Sequence, residues 1–120
     1  MEKIIQGNLN KNHPAKRGWF MGSFIEEGSP FKTDAFEMKW SKHKAGEEKS
    51  ALGTQQTAKT LGILVYGKFE FSFPKVNKKI TIDKEGDFVY YDAGVTHSWK
   101  VIEDTLLISI RWPSIPGDQK

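Results

Sequence analysis

Cysteine is absent from the 120-residue chain, and this absence removes several kinds of chemistry at once. Without cysteine the chain has no disulfides, no thiolate metal ligands and no cysteine nucleophile. The chain also has no apolar run of roughly 18 residues that would span a membrane. Its first residues, MEKIIQGNLNKNH, lack the apolar stretch of a secretory signal peptide. We therefore expect a cytoplasmic protein with no membrane partner.

Charge of one sign is in only slight excess, because 18 Lys and Arg residues stand against 15 Asp and Glu residues, a net charge of +3. The basic residues are scattered, whereas a nucleic-acid-binding domain concentrates them on one face. We therefore expect no nucleic-acid partner, although the mild positive charge favours an anionic ligand. No serine stands in a nucleophile elbow and no glycine-rich loop opens a helix, so hydrolase and nucleotide-binding functions find no support.

Apolar residues alternate with polar ones or form short runs that Gly, Pro, Asn or Asp interrupt, which is typical of β-strands. Phe36, Met38 and Trp40 share one face of a predicted half-buried strand. Turn signals recur at intervals of roughly 8 to 12 residues, a spacing that indicates an antiparallel sandwich or barrel. We predict one all-β domain over residues 18–116, preceded by an arm or edge strand at 1–17 and followed by a tail at 117–120.

Local patterns give more detailed predictions. The stretch from Thr57 to Phe73 is read as two strands that break at Gly67 and pair as a hairpin. The acidic pair at 103–104 is read as a tight turn, and residues 47–52 as a short helix. Alternation places Phe69, Phe71 and Phe73 on one face, and it places Thr60, Gly62, Leu64 and Tyr66 together on another.

The stretch GDFVYYDAGVTHSWKV, residues 86–101, resembles the second conserved motif of the cupin superfamily. That motif is a glycine, five residues, a proline, one residue, a glycine, two residues and a histidine. Gly86, Gly94 and His97 match at the right spacing, and Asp92 stands in place of the proline. The resemblance covers about residues 36–112. It implies an antiparallel double-sheet jelly roll, the cupin β-barrel, with His97 pointing into the barrel.

The first cupin motif is matched less well. It contains two histidines one residue apart, a glutamate and a final glycine. With Gly67 as the final glycine, Thr60 stands at the glutamate position, and Gln56 and Thr54 stand at the histidine positions. Three of the four usual metal ligands are therefore missing. The aligned set of one imidazole, one amide and two hydroxyls would hold a divalent first-row metal poorly.

Three residues of the second half of the chain are candidates for chemistry. His97 is the candidate catalytic residue, because an imidazole moves a proton near neutral pH, ligates a metal or hydrogen-bonds a ligand. Trp99 shares the face of His97 and would add an aromatic wall, and Arg111 is suited to clamp a carboxylate or phosphate. The predicted ligand-binding set is Thr54, Gln56, Thr60, Trp99 and Arg111.

Cupins include dioxygenases, isomerases, epimerases, binding modules and storage proteins, so the resemblance leaves three functions open. In the first, the protein binds a small polar or anionic organic ligand without a tightly held metal. If such a protein is a catalyst, it acts as an isomerase or epimerase through proton transfer by His97. In the second, it is a metal-dependent dioxygenase or isomerase in which His97 and His43 hold a divalent metal such as Zn, Fe, Ni or Mn. This function requires that residues 44–56 bring His43 inward. In the third, it is a non-catalytic structural or interaction module.

The edge strands of an antiparallel sandwich need protection, and pairing across a two-fold axis is one way to provide it. Similar small cupins are often dimers. We therefore expect a homodimer.

Overall fold

The computed structural model describes residues 3–11 and 18–119, and its regular elements are strands and one short 3-10 helix, Pro74–Val76. No helix in this part of the chain has the length and apolar character to cross a bilayer. The predicted arm lies partly outside the described residues, and residues 3–11 contain no strand. The strands are β1 (Trp19–Met21), β2 (Glu37–His43), β3 (Glu48–Thr54), β4 (Lys59–Phe73), β5 (Lys78–Ile82), β6 (Phe88–Tyr91) and β7 (Thr96–Trp112).

The two longest strands, β4 and β7, form the centre of the fold, where they pair antiparallel along most of their length. One half of β7 also pairs with β2 and the other half with β3. In the same way, β4 pairs with β6 at one end and with β5 at the other. Two antiparallel sheets therefore share β4 and β7, and the prediction of an all-β double-sheet fold is confirmed.

The hairpin predicted at Gly67 is wrong, because β4 runs without interruption from Lys59 to Phe73. Gly67 instead lies in an irregular stretch where the register between β4 and β7 shifts, and its φ is +105°. Such bulges bend a strand and increase its twist. The turn predicted at 103–104 is wrong for the same reason, because β7 continues through these residues opposite the bulge. The bend allows each long strand to serve both sheets.

The bulge also changes which side chains share a face. Thr60 and Leu64 lie on one buried face, as their predicted common face requires, but Tyr66 is 48% exposed, because the alternation breaks before it. Beyond the bulge, Phe69, Phe71 and Phe73 are all buried and share one face as predicted. Their rings contact one another in sequence, with centroids 4.9 Å and 6.3 Å apart. They form the apolar core together with Leu64, Ile82, Val89, Tyr91, Val101 and Leu107.

The short helix predicted at residues 47–52 is also wrong, since β3 occupies this stretch. Glu48 pairs with Lys100, and Gly53 pairs with His97, so the hydrogen-bond ladder of β7 organises the segment. Tertiary pairing of this kind routinely overrides a weak local preference. The C-terminal tail is held as well, because the carboxylate of Asp118 accepts hydrogen bonds from the backbone N–H groups of Thr57 and Ala58.

Candidate functional site

A polar cavity of about 60 Å³ lies between the two sheets, next to the aromatic core. By the usual measure, a volume of this size holds a few water molecules or a small ionic group. All strands except β5 contribute to its wall. The lining residues are Trp19, Lys39, Ser41, His43, Lys49, Thr60, Gly62, Phe69, Phe71, Tyr91, His97, Trp99, Leu107, Ser109 and Arg111.

Strand β2 turns its polar face toward this cavity. Lys39, Ser41 and His43 line the wall, so the alternation predicted for β2 holds, but the polar side is the inner one. Met38 and Trp40 consequently lie on the outer side of the sheet. The physical reason is that the barrel interior at this end is polar, because β7 places Ser109 and Arg111 in the same wall.

The charge of the cavity wall has one sign. Lys39, Lys49 and Arg111 are cationic, and none of the described lining residues is Asp or Glu. In the poorly solvated space between two sheets, charge interactions are stronger than in water. Glu37, which contacts Arg111 from outside the lining, offsets part of this charge, and the two lysines leave the wall more favourable to an anion than to a metal cation.

Arg111 is fixed in place by neighbours at the cavity wall. Its guanidinium lies over the ring of Trp19, 4.7 Å from the centroid, and its Nη1 is 3.5 Å from Oε2 of Glu37. The other oxygen of Glu37 accepts a hydrogen bond of 2.8 Å from Oγ of Ser114. The buried Nε of Arg111 has no hydrogen-bond partner within the described residues. This donor is available to a ligand.

Thr60 supplies a second free polar atom. The residue is 5% exposed, and its buried Oγ1 has no partner in hydrogen-bonding geometry in the part of the chain that is described. The Tyr91 hydroxyl lies near the Thr60 side chain. Burial raises the pKa of Tyr91, and Arg111 and the Thr60 side chain partly offset this rise. The Thr60 and Tyr91 side chains are close to each other, but Thr60 Oγ1 makes no hydrogen bond with this hydroxyl. A buried polar group without a partner is costly, so a ligand that pairs with it gains affinity.

His97 is 3% exposed and is oriented by its own backbone. Its Nδ1 lies 3.1 Å from the carbonyl oxygen of Val95. Since a carbonyl only accepts, Nδ1 carries the hydrogen and Nε2 is the unprotonated nitrogen of the neutral ring. Burial lowers the pKa of His97, and Lys49 and Arg111 lower it further, although the Val95 hydrogen bond opposes them. The ring is therefore neutral at pH 7 and able to accept a proton.

His43 lies in the same wall without any movement of residues 44–56, which the sequence-based hypothesis had required. Its ring packs against Trp99, with centroids 4.9 Å apart, and its Nδ1 lies 3.1 Å from Oε1 of Glu47. Burial lowers the pKa of His43, and the hydrogen bond with Glu47 raises it by less. Glu47 thus orients this ring from the outer side of the cavity.

The structure brings together most of the predicted site. Thr60, His97, Trp99 and Arg111 all line the cavity, and Thr54 and Gln56 do not. Gly53 is the β3 residue that faces His97 across the ladder, so alternation puts Thr54 on the opposite side of the strand.

The Oγ1 of Thr54 lies 3.2 Å from that of Thr96, and Gln56 is exposed beyond the end of β3. The predicted lining of the cavity is wrong for these two residues. Sequence reasoning also missed two lysines of the wall, Lys39 and Lys49. The alternation of β2 and the pairing of Lys49 with Trp99 place both of them inside.

A metal centre does not fit the residues present. In the described ranges, no group of three or more His, Cys, Asp or Glu side chains is arranged to hold a metal ion. His43 and His97 share the cavity, but the charged side chains among its described lining residues are cations, and Glu47, the carboxylate that contacts His43, lies outside that lining. A divalent metal needs three or four donors, and nearby carboxylates would have to offset its charge.

A wider cleft of about 520 Å³ adjoins the cavity along β2. The cavity and the cleft share Lys39, Ser41, His43 and Trp99. The cleft is also lined by Glu47, Lys42 and Asn10. A ligand with its charged end in the cavity therefore has room for a larger portion outside it.

No family model matches the sequence, and no curated protein has a significantly similar sequence. Solved structures are similar in fold. KdgF from Halomonas sp. is 20% identical, with a TM-score of 0.62, and the match covers 70% of this chain and 74% of that one. An uncharacterized conserved protein with a double-stranded β-helix domain from Klebsiella pneumoniae is 13% identical, with a TM-score of 0.68 over 98% and 96% of the two chains.

A cupin-2 domain containing protein from Shewanella frigidimarina is 19% identical, with a TM-score of 0.54, over 75% of this chain and 84% of that one. Identities this low show the fold and leave the activity open. The fold is nevertheless the one that the motif around His97 implied. The chain has the double-stranded β-helix fold of the cupins.

Proposed function

We propose that the protein binds a small organic anion, with the carboxylate of the ligand in the cavity between the sheets. The observation that carries this proposal is the composition of the cavity lining, which in the described residues includes Lys39, Lys49 and Arg111 and no Asp or Glu. Arg111 and Thr60 each offer a buried polar atom without a partner. A carboxylate oxygen is the group that satisfies such donors.

The size of the cavity limits the ligand. About 60 Å³ accommodates a carboxylate and about two or three further non-hydrogen atoms, so we expect the inner portion of the ligand to be as small as glycolate or pyruvate. Any larger portion extends along β2 into the cleft, where Trp99 offers an apolar surface and Lys42 and Glu47 offer polar ones. This division matches the general pattern of ligand sites, which combine apolar walls with a few placed polar groups.

His97 is suited to move a proton on such a ligand. In a 2-oxo acid, the neutral Nε2 accepts a proton from the carbon next to the carbonyl, and the electron pair of the broken C–H bond moves into the enolate. The cationic wall stabilises the negative charge that develops, which is the usual source of catalysis for this step. Return of the proton to another face or another carbon yields an epimer or an isomer. We therefore propose a metal-free isomerase or epimerase activity.

The binding step is tested by calorimetric titration with glycolate and with glycolamide, which differ in charge but hardly in shape. We expect glycolate to bind at least about tenfold more tightly, because each charge-assisted hydrogen bond contributes about 1.5–3 kcal/mol. Arg111→Gln should remove this preference. Lys100→Gln, at an exposed position of β7, is the matched control and should retain it. Equal affinity for the two ligands, or saturable binding of Zn²⁺ that glycolate does not displace, would refute the proposal.

The proton-transfer step is tested separately with pyruvate in D₂O. We expect the methyl protons to exchange faster in the presence of the protein, with mass spectrometry as the readout. His97→Gln should abolish the acceleration and still bind glycolate. If glycolate binds but pyruvate does not exchange, the protein is a binding module and the isomerase proposal fails.

A further inference from the structure

Strand β3 contains a bulge that brings two of its residues to the inner face, opposite the proposed proton acceptor. Lys49 pairs with Trp99. Gly53 pairs with His97, so four steps along β3 oppose only two steps along β7. The intervening residues, 50–52, are all exposed and form the outward part of the bulge. Because directly opposed residues of antiparallel strands share a face, both β3 residues face inward, as His97 and Trp99 do.

Gly53 provides space for the end of the Lys49 side chain. A Cβ added at Gly53 would lie 3.0 Å from Nζ of Lys49 and 2.5 Å from Nε2 of Gln119. The φ of Gly53 does not lie in the left-handed region, so the backbone does not require a glycine at this position. The missing side chain instead leaves room on the inner face for the ammonium of Lys49, which reaches back over Gly53.

The ammonium of Lys49 thereby comes close to His97. Gly53 and His97 oppose each other directly, and the Cα atoms of such pairs lie about 4.5–5.5 Å apart. Burial is the main cause of the lowered pKa of His97, and of the two cations that lower it further, Lys49 contributes more than Arg111. Arg111 lies at another part of the wall, where it pairs with Thr60. A ligand that reaches His97 therefore meets two separate cations.

We propose that Lys49 is a catalytic residue that donates a hydrogen bond to the reacting carbonyl oxygen of a 2-oxo acid, while Arg111 holds the carboxylate. This inference rests on the isomerase or epimerase function proposed above. His97 takes the proton from the carbon next to the carbonyl, and the electron pair of that C–H bond forms a C=C bond. The carbonyl π electrons move to the oxygen, and Lys49 keeps its proton and stabilises the resulting enolate.

The chemistry of an ammonium suits this role. It has three N–H donors, so it can bind the enolate oxygen and a neighbouring protein group at the same time. Its charge acts in a poorly solvated cavity, where the attraction to an oxyanion is stronger than in water. The two cations also define the ligand: a carboxylate at Arg111 and a carbonyl oxygen on the adjacent carbon at Lys49.

The test compares the exchange of pyruvate methyl protons in D₂O with the binding of glycolate. Lys49→Gln should slow exchange at saturating pyruvate at least about 100-fold, the usual loss when one oxyanion donor is removed. Its dissociation constant for glycolate should rise by less than about tenfold, because Arg111 still holds the carboxylate. Lys100→Gln is the matched control, since Lys100 is exposed on the outer side of β7, and it should change neither quantity.

Gly53→Ala moves the ammonium without changing the net charge. The three atoms nearest to the added methyl group belong to the ends of the Lys49 and Gln119 side chains, which are flexible, so this variant should fold, as circular dichroism would verify. We expect exchange to slow by about tenfold or more, because a small displacement of a catalytic group has a large effect on rate. An NMR titration adds a readout besides activity: the pKa of His97 should rise in Lys49→Gln, because Lys49 lowers it.

The outcomes separate this proposal from the proposed function. If wild-type protein exchanges pyruvate protons and Lys49→Gln does so equally fast, the role of Lys49 is overturned and the isomerase function stands. If high pyruvate concentrations restore the rate of Lys49→Gln, Lys49 only binds the ligand, and the proposal fails as well. A wild-type protein that exchanges no protons overturns the function and the role of Lys49 together. A His97 pKa that Lys49→Gln leaves unchanged would show that the ammonium does not lie beside this ring.

Discussion

Replacing Gly67 with alanine tests the bulge that bends β4, because two independent costs meet at this residue. Its φ of +105° lies in a region that residues with a Cβ rarely adopt. A methyl group at this position would also clash with the carbonyl oxygen of Asp104 and with the side chain of Thr105, and would lie 2.6 Å from the Cα of Thr105. The clashing atoms include the backbone of β7, so the paired strands must separate to make room.

The expected magnitude follows from these two costs. The unfavourable φ contributes about 1–2 kcal/mol, and forcing a methyl group into a filled space contributes about 1–3 kcal/mol more. Gly86→Ala is the matched control, because Gly86 has a φ of +89° but nothing lies within 4 Å of an added Cβ. We therefore expect the free energy of unfolding to fall by about 2–5 kcal/mol in Gly67→Ala and by only about 1–2 kcal/mol in Gly86→Ala.

Urea unfolding followed by tryptophan fluorescence measures both changes. The two variants should differ by roughly 2 kcal/mol, which corresponds to a difference of about 8 °C in melting temperature. If Gly67→Ala is no less stable than Gly86→Ala, β4 and β7 do not approach each other at the bulge as described. The shared-strand architecture would then need revision.

Two further predictions concern the core and the histidines. Phe69→Ala should lower the free energy of unfolding by about 3–5 kcal/mol, because Phe69 is 1% exposed and its ring contacts Phe71, Trp99 and His43. Urea unfolding measures the effect. A loss below about 1 kcal/mol would contradict the central position of this ring in the core. Burial lowers the pKa of His43 and His97 in the folded state, so the unfolded chain binds protons more readily. The stabilising contribution of the two neutral rings should therefore be fully present above about pH 6.5 and should decrease as the pH falls below that value. The slope of the free energy of unfolding against pH should not exceed about 1.4 kcal/mol per pH unit for each histidine. His97→Gln should reduce this slope between about pH 7.5 and 5.5. A wild-type free energy of unfolding that stays constant or rises on acidification would contradict the assignment of neutral rings.

The sequence predicts the strands better than their bends. Alternation correctly placed Phe69, Phe71 and Phe73 on one face, because each stretch is regular over several residues. It placed Tyr66 wrongly, because the bulge at Gly67 depends on how β7 pairs with β4. A glycine in a strand pattern fits both a hairpin and a bulge, and only the partner strand distinguishes the two.

The sequence alone also did not predict which side of β2 faces the barrel interior. Its alternation shows that Lys39 and His43 lie opposite Trp40, but the tendency to bury apolar residues suggests the wrong side. Arg111, on a strand almost 70 residues away along the chain, makes this end of the interior polar. The motif resemblance located His97 correctly because it rests on a short segment with fixed spacing. The position of Thr54 required a register that the weaker first motif does not determine.

The measurement that tests the cationic cavity most directly is the NMR titration of the His97 ring, with and without glycolate. An anion next to the ring favours its protonated form. The account therefore predicts that glycolate raises the pKa of His97 and that the neutral glycolamide at the same concentration does not. A His97 pKa that glycolate leaves unchanged would show that no anion binds beside this ring and would contradict the central claim.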